Sequence, residues 1–250
     1  MYKLFLRLFF VFISFQISSS AFAQNPAKST SEFNVGWYQY FLNAKLSKKY
    51  FFYFDGAYRA FDFYKATQLI SFRPGLGYQL SSSNQLLAGY AYFGSYAYQN
   101  TDGFFRNEHR FFQQFQTSSS EGRVNISHRL RAEERFIQNS TKRENYNFTL
   151  RLRYQFNLQI PLWGKELKPH RPYLILADEF FVNFGSGVVL NYFDQNRLIL
   201  GLGYKFNSKY NLQIHYINVF IQRASGVNFE KIHTLRVAFF HQLDWSRKTE

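Results

Sequence analysis

Polar and apolar residues alternate one by one through residues 146–161, which read Tyr-Asn-Phe-Thr-Leu-Arg-Leu-Arg-Tyr-Gln-Phe-Asn-Leu-Gln-Ile-Pro. A two-residue period places the apolar side chains on one face of a β-strand and the polar ones on the other. The segment is much longer than an ordinary strand of about five or six residues, and it is too polar for a membrane helix. Because a membrane-spanning strand must satisfy its backbone within a closed barrel, the pattern predicts a transmembrane β-barrel with a polar lumen.

The same alternation, combined with turn residues, predicts about eleven strands in all, including 146–161. They are 33–46, 50–62, 67–80, 85–97, 105–117, 123–137, 146–161, 172–184, 195–207, 210–222 and 231–245. Short polar turns alternate with longer loops, as expected when short turns face the periplasm. Single-chain bacterial barrels normally have an even strand number. We therefore expect an all-β, closed antiparallel barrel of about twelve strands, with ten as the alternative. Either residues 24–31 supply the twelfth strand, or the N-terminus threads the lumen, or one predicted hairpin is wrong.

Residues 1–23 have the features of a secretory signal peptide. Lys3 and Arg7 are basic, an apolar run follows them, and small residues at the end of the run provide a cleavage site at Ala23. We expect cleavage there, one barrel domain formed by residues 24–250, and export to the outer membrane of a Gram-negative bacterium. Beyond the signal, the apolar runs are far shorter than the roughly 18 to 20 residues that a membrane helix needs.

Composition supports a barrel and limits the classes of partner that we expect for it. Phe and Tyr occur 32 and 19 times and there is no Cys, which fits a lipid-facing surface with aromatic girdles and excludes a disulfide framework. The net charge is +14, but many cations alternate with apolar residues and would face the lumen. We expect membrane lipids and lipopolysaccharide as partners, the barrel-assembly machinery during biogenesis, a small anionic solute as a candidate ligand, and no nucleic acid.

Ionic residues on the inward faces of neighbouring strands form the candidate functional site. The set is Glu108, Arg110, Arg129, Arg131, Glu133, Arg135, Arg151, Arg153, Glu179, Arg197 and Arg236. The planar guanidinium group can bridge carboxylates on adjacent strands, so one interpretation is a structural plug that fills the lumen and neutralises its own charges. The other is a binding site or pore for an anion, because the arginines outnumber the carboxylates.

Several segments occur together in a recognisable order and spacing. They are Asn-Glu-His-Arg-Phe-Phe-Gln-Gln at 107–114, Arg-Leu-Arg-Ala-Glu-Glu-Arg-Phe at 129–136, Arg-Leu-Arg-Tyr at 151–154, Asp-Glu-Phe-Phe-Val-Asn-Phe-Gly at 178–185, Phe-Asp-Gln-Asn-Arg-Leu at 193–198 and Gly-Leu-Gly-Tyr at 201–204. The chain resembles the exported bacterial proteins of domain-of-unknown-function family 2490 over essentially its mature length. The resemblance implies an outer-membrane β-barrel and supplies no activity, substrate or catalytic residue.

The sequence provides weak signals for chemistry. Ser127 and His128 are adjacent on a strand and point to opposite faces, so they cannot act together as nucleophile and base. His233 and His241 share a face, but about 3.4 Å per residue separates them by roughly 27 Å, too far for one metal ion. We therefore predict no catalytic, cofactor-binding or metal-binding residue, and a structural or small-solute transport role. A lipid-modifying hydrolase of the outer membrane is the alternative.

Overall fold

The computed structural model describes residues 28–98, 103–139, 145–185 and 187–246, and the strands in these ranges form a closed barrel. The strands are β1 (Ser29–Lys45), β2 (Tyr50–Phe61), β3 (Ala66–Gln79), β4 (Asn84–Ser95), β5 (Arg106–Glu121), β6 (Val124–Gln138), β7 (Tyr146–Pro161), β8 (Arg171–Phe184), β9 (Phe193–Lys205), β10 (Tyr210–Gln222) and β11 (Asn228–Asp244). The prediction of an all-β closed barrel is confirmed, and each predicted strand overlaps an observed one. No helix in the described ranges is long and apolar enough to cross a membrane. The predicted signal peptide, 1–23, lies outside the described residues.

The barrel closes through a parallel pair of strands, and this corrects the predicted strand number. Consecutive strands form antiparallel hairpins, whereas β1 and β11 pair in parallel from Ser29 with Asn228 to Lys45 with Asp244. The described part of the barrel thus has eleven strands rather than twelve. The part of the expected extra strand that is described, residues 29–31, is the beginning of β1. An odd number of alternating strands brings the first and last together in the same direction, so the sheet is mixed rather than wholly antiparallel.

Side-chain contacts reinforce this parallel seam between β1 and β11. The rings of Phe41 and Phe240 stack in the lumen with centroids 4.4 Å apart. On the outer face, the Tyr40 hydroxyl and His241 Nδ1 form a hydrogen bond of 2.8 Å. Parallel pairing is slightly less stable per residue than antiparallel pairing, and cross-strand side-chain pairs of this kind add to it.

The connections define two ends of the barrel. The longer connections, such as those that leave β4 after Ser95 and β8 after Phe184, start from one end, here called the loop end. The short turns, such as 46–49 and 206–209, lie at the other, here called the turn end. Because β1 and β11 are parallel, both run from the loop end to the turn end.

The alternation in β7 produces the predicted division between outside and inside. Leu152 on the outer face is 41% exposed, whereas Arg151 and Arg153 on the luminal face are each 6% exposed. Similar apolar residues are exposed on the outer faces of strands all round the barrel. The exterior is therefore largely apolar, and the luminal arginines of β7 are enclosed.

Two outward polar residues of β5 are accommodated by hydrogen bonds on the outer face. Asn107 and Gln113 face outward although β5 keeps a continuous register with both neighbouring strands. Asn107 Oδ1 accepts a hydrogen bond of 2.6 Å from the Tyr92 hydroxyl, and Gln113 Nε2 donates one of 3.3 Å to Glu134 Oε2. Hydrogen-bond partners on neighbouring strands therefore accommodate these residues without a β-bulge in β5; register shifts occur instead in β2 and β8.

Apolar side chains fill much of the lumen at the loop end. Phe33, Ile217 and Ile232 point inward from β1, β10 and β11 and are buried in one cluster. Tyr98, from the connection between β4 and β5, reaches across the barrel and stacks on Phe33 with ring centroids 4.1 Å apart. Burial of inward-facing residues means that water is excluded from this part of the lumen.

Candidate functional site

All eleven residues proposed for the site lie on the luminal face, in a group here called the ionic layer. The strands contribute Glu108 and Arg110 from β5, Arg129, Arg131, Glu133 and Arg135 from β6, Arg151 and Arg153 from β7, Glu179 from β8, Arg197 from β9, and Arg236 from β11. Arg129, Arg197 and Arg236 are partly exposed and the other eight are buried. The period of two brings these residues to one face, and the register of neighbouring strands brings them into contact.

Glu133 occupies the centre of the ionic layer and contacts arginines from three strands. Its Oε1 accepts a hydrogen bond of 2.6 Å from Arg153 Nη1, and its Oε2 accepts one of 3.1 Å from Arg110 Nη1. Arg131 Nη1, on the same strand, is 3.9 Å from Oε1. The carboxylate thus joins β5, β6 and β7 from inside the barrel.

Glu179 forms a second centre and shares an arginine with the first. Its Oε1 accepts hydrogen bonds of 2.6 Å from Arg153 Nη2 and from Arg129 Nη2, and Arg197 Nη1 is 3.7 Å from Oε2. Arg153 therefore bridges Glu133 and Glu179 with the two arms of one guanidinium group. Hydrogen bonds of this charge-assisted kind are stronger than neutral ones and fix the relative geometry of the groups.

Glu108 neutralises two arginines near the loop end. Arg110 donates to both of its oxygens, from Nε to Oε1 at 2.7 Å and from Nη2 to Oε2 at 3.0 Å. Arg135 Nε donates to Oε1 at 2.5 Å. Because Arg110 also contacts Glu133, the three carboxylates of the ionic layer belong to one connected network.

Aromatic rings cover the faces of the same guanidinium groups. The Arg110 guanidinium carbon is 3.8 Å from the centroid of Phe93, and that of Arg153 is 4.6 Å from the centroid of Phe181. Cation–π contacts of this type contribute most when water is excluded. They supply a second set of partners for the arginines, which outnumber the carboxylates.

Sequence reasoning missed Asp194, which belongs to the network. Its Oδ2 is 2.9 Å from Arg151 Nη2, and its Oδ1 accepts a hydrogen bond of 3.0 Å from Asn183 Nδ2. The predicted strand began at residue 195, one position after this aspartate, whereas β9 begins at Phe193. Strict alternation from the inward-facing Arg197 would have placed Asp194 on the outer face; the register shift between β8 and β9 leaves Asp194 without a paired residue and buries it beside Gln195, and alternation gives no signal for this.

A separate polar group around Asp55 was also missed. Asp55 is buried and forms a salt bridge with Arg73, while Gln39 Nε2 and the Tyr53 hydroxyl donate to it at 2.8 and 3.1 Å. Strand β2 carries aromatic residues on both faces, so alternation gave no signal there. The only signal was an acidic residue within an aromatic strand.

A cavity of about 370 Å³ lies between the ionic layer and the turn end. Six arginines and two carboxylates line it, namely Arg73, Arg129, Arg131, Arg153, Arg197, Arg236, Asp55 and Glu179. Eight glutamines also line it, and some, such as Gln85 and Gln242, lie within two residues of a strand terminus at the turn end. This part of the lumen is polar and roomy, in contrast to the apolar loop end.

The hydrolytic and metal-binding alternatives find little geometric support. Ser127 lines the luminal cavity and accepts a hydrogen bond of 3.2 Å from Asn157 Nδ2. His128 lies on the outer face, where its Nδ1 and the Tyr154 hydroxyl are 2.8 Å apart. Across the ranges that the structure describes, there is no group of three or more His, Cys, Asp or Glu residues that could hold a metal ion.

A comparison with protein-family models matches residues 34–230 to a family described as protein of unknown function (DUF2490). The chain belongs to the DUF2490 family. The match begins in β1 and ends in β11, so it includes every residue of the ionic layer except Arg236, and the predicted resemblance is confirmed. The comparisons with curated proteins and with solved structures gave no match. The function of this DUF2490 barrel must therefore be argued from its geometry.

Proposed function

We propose that this DUF2490 protein is an outer-membrane β-barrel with a structural role, and that its ionic layer seals the lumen against ion flow. The observation that carries the proposal is the burial of a connected Arg–Glu network in the middle of the lumen; Glu133 and Glu179 are each 2% exposed. Small barrels commonly fill their interiors with side chains. A water-filled channel would leave such groups accessible to solvent.

The apolar exterior supports the location in a membrane. Large exposed apolar side chains occur on the outer faces of successive strands, whereas soluble monomers rarely expose such extensive apolar surface. Trp163 and Trp245 follow strands that end at the turn end and are more than half exposed, as expected of aromatic anchors at a membrane interface. Membrane lipids, lipopolysaccharide and the barrel-assembly machinery are the partners that this location implies.

Two measurements test the location. Fractionation of cells that express the full chain should recover it with the outer membrane, and mass spectrometry should find Gln24 as the first residue of the mature protein. Recovery in the soluble periplasmic fraction would contradict the proposal, as would an uncleaved chain in the inner membrane.

Conductance in planar bilayers tests the sealed lumen. The purified protein should produce no discrete current steps, because the ionic layer and the apolar cluster at the loop end leave ions no hydrated path. Insertion must be verified separately, for example by protease protection in the same lipid. Anion-selective steps from verified insertions would favour the transport role, for which the surplus of arginines is the supporting observation.

The lipid-hydrolase alternative has its own test. Purified protein incubated with phospholipid vesicles should release no fatty acid, and Ser127→Ala should behave as the unmodified chain does. The separation of Ser127 and His128 on opposite faces of β6 supports a non-enzymatic role. Release of fatty acid that Ser127→Ala abolishes would establish an enzyme instead.

A further inference from the structure

Four buried polar atoms belong to residues that line the cavity at the turn end and have no hydrogen-bond partner among the described residues. They are Trp37 Nε1, Gln39 Oε1, Arg73 Nε and His215 Nε2. Each of the four residues is at most 7% exposed. Buried polar atoms in native proteins nearly always have a partner. Each of these four has less than 1 Å² of accessible surface, so a molecule in the cavity would reach them only if their side chains rotated.

Three of these four atoms are hydrogen-bond donors. The indole nitrogen of Trp37 and the Nε of Arg73 can only donate. Arg236 Nε donates to His215 Nδ1 at 3.2 Å, so Nδ1 carries no proton and Nε2 of the neutral ring carries it. A molecule that satisfies this set must present several acceptor oxygens.

The positive charge of the cavity lining also favours an anionic ligand. Six arginines face two carboxylates in the cavity, and Glu179 is already shared by Arg129 and Arg153. No carboxylate oxygen of the described residues lies within 4.0 Å of the Arg236 guanidinium; its neighbours are His215 and the Trp37 ring, 5.1 Å away. Positive charge in an enclosed site is costly without a counter-charge.

The carboxamide groups of glutamines in the cavity wall indicate which kind of anion would fit. The wall of the cavity carries eight glutamines, each able to donate and to accept, and this dual capacity matches hydroxyl groups rather than a bare inorganic ion. The volume of about 370 Å³ lies within the usual range of roughly 300 to 1,000 Å³ for small-molecule sites. The lining therefore fits a ligand that combines one anionic group with several hydroxyls.

We propose that the cavity at the turn end is a binding site for a small hydroxylated organic anion of the sugar-acid or sugar-phosphate class. The anionic group lies against the partly exposed Arg236, which has no carboxylate partner among the described residues, and the hydroxyls meet the glutamine wall. The site goes beyond the sealed barrel and is compatible with it, because the ionic layer closes the inner end of the cavity. Binding in detergent does not depend on the outer-membrane location, so the two proposals can fail separately.

The test measures binding to the full-length mature chain in detergent micelles by calorimetry and by the shift of the thermal unfolding midpoint. The probes are glucuronate, glucose 6-phosphate, inorganic phosphate and uncharged glucose. We expect at least one of the two hydroxylated anions to bind and raise the midpoint, inorganic phosphate to bind at least tenfold more weakly, and glucose not to bind. Preference for glucuronate would assign a carboxylate ligand, and preference for glucose 6-phosphate a phosphate ligand, from a free solute or from the saccharide headgroup of a lipid.

Variants locate the site within the lumen. Arg236→Gln should weaken binding of the preferred anion at least tenfold, whereas Lys205→Gln should leave it unchanged. Lys205 is the matched control because it faces the lumen near the turn end but does not line the cavity. If Arg236→Gln does not fold, Gln116→Leu replaces a partly exposed lining residue and should weaken the hydroxylated anion while leaving inorganic phosphate unaffected.

Three results would overturn the proposal. The first is no binding of either hydroxylated anion at millimolar concentration, which would mean that the cavity holds only water. The second is equal weakening by the lining variant and by Lys205→Gln, which would indicate a general charge effect. The third is equal affinity for inorganic phosphate and the hydroxylated anions, which would leave an adventitious ion only.

Discussion

Glu133→Gln is the most direct perturbation of the ionic layer, because it removes one charge and keeps the size of the side chain. The carboxylate accepts hydrogen bonds of 2.6 Å from Arg153 and 3.1 Å from Arg110. An amide can still accept through one oxygen, but its NH₂ group would face a guanidinium donor. The substitution therefore loses one charge-assisted hydrogen bond and the neutralising charge shared by both arginines.

The expected loss of stability depends on the other partners of Arg153 and Arg110. Breaking a buried ion pair costs about 3 to 5 kcal/mol, and a hydrogen bond to a charged group contributes about 1.5 to 3 kcal/mol. Arg153 keeps Glu179 and Arg110 keeps Glu108, so neither is left without a carboxylate. We expect Glu133→Gln to lower the free energy of unfolding by about 3 kcal/mol, at the lower end of the range for a broken pair.

Glu134→Gln is the matched control, since the next residue of β6 faces outward. Its recorded side-chain contact is a hydrogen bond of 3.3 Å donated by Gln113, and we expect a change below about 1 kcal/mol, as for weakly coupled surface charges. Urea unfolding in micelles, followed by tryptophan fluorescence and extrapolated linearly, measures both variants. If Glu133→Gln costs no more than Glu134→Gln, water screens the arginines and the ionic layer is not a dry seal.

Three further outcomes test facing, closure and luminal packing. Leu152→Arg should destabilise the inserted barrel by about 2 to 4 kcal/mol near the bilayer centre, measured by unfolding from lipid vesicles, whereas insertion at full stability would reverse the assignment of faces. Tyr38 and Val237 are partners in the parallel register, and the chain has no cysteine of its own. The double variant Tyr38→Cys with Val237→Cys should therefore form a disulfide, seen as a shift on a non-reducing gel, and neither single variant should show the shift. Absence of the shift in the double variant would contradict the parallel seam. Gly77→Ala places a methyl group in the space of the Phe51 ring and should cost about 1 to 3 kcal/mol by overpacking; unchanged urea stability would show that the ring moves freely.

The sequence predicted a strand accurately where polar and apolar residues occupy separate faces. For β7 the predicted range, 146–161, coincides with the observed strand, because polar and apolar residues alternate without interruption. In β2, Phe52 and Phe54 face outward while Phe51 and Tyr53 face inward. Rings on both faces carry no information about facing, and the group around Asp55 was lost for that reason.

The parallel seam could not be predicted from the same pattern. Alternation reports which face of a strand a residue occupies, but it does not report which strand lies alongside or in which direction. The predicted strand number therefore relied on the even number common in bacterial barrels. The parallel pairing of β1 with β11 gives an odd number instead. Contacts such as that of Phe41 with Phe240 form only because β1 lies beside β11, so the sequence pattern could not predict them either.

The seam also determines the order in which this chain can fold. Lys45 pairs with Phe51 across a short turn, but Ser29 must find Asn228, 199 residues away. By the logarithmic dependence of loop closure on length, that contact costs about 3 kcal/mol more conformational entropy than the hairpin contact. Until β11 is made, the first ten strands form an open sheet with two unpaired edges, which are templates for aggregation. We therefore expect the seam to close after the hairpins have formed, and the two unpaired edges to be the parts of the open sheet that most need protection from aggregation.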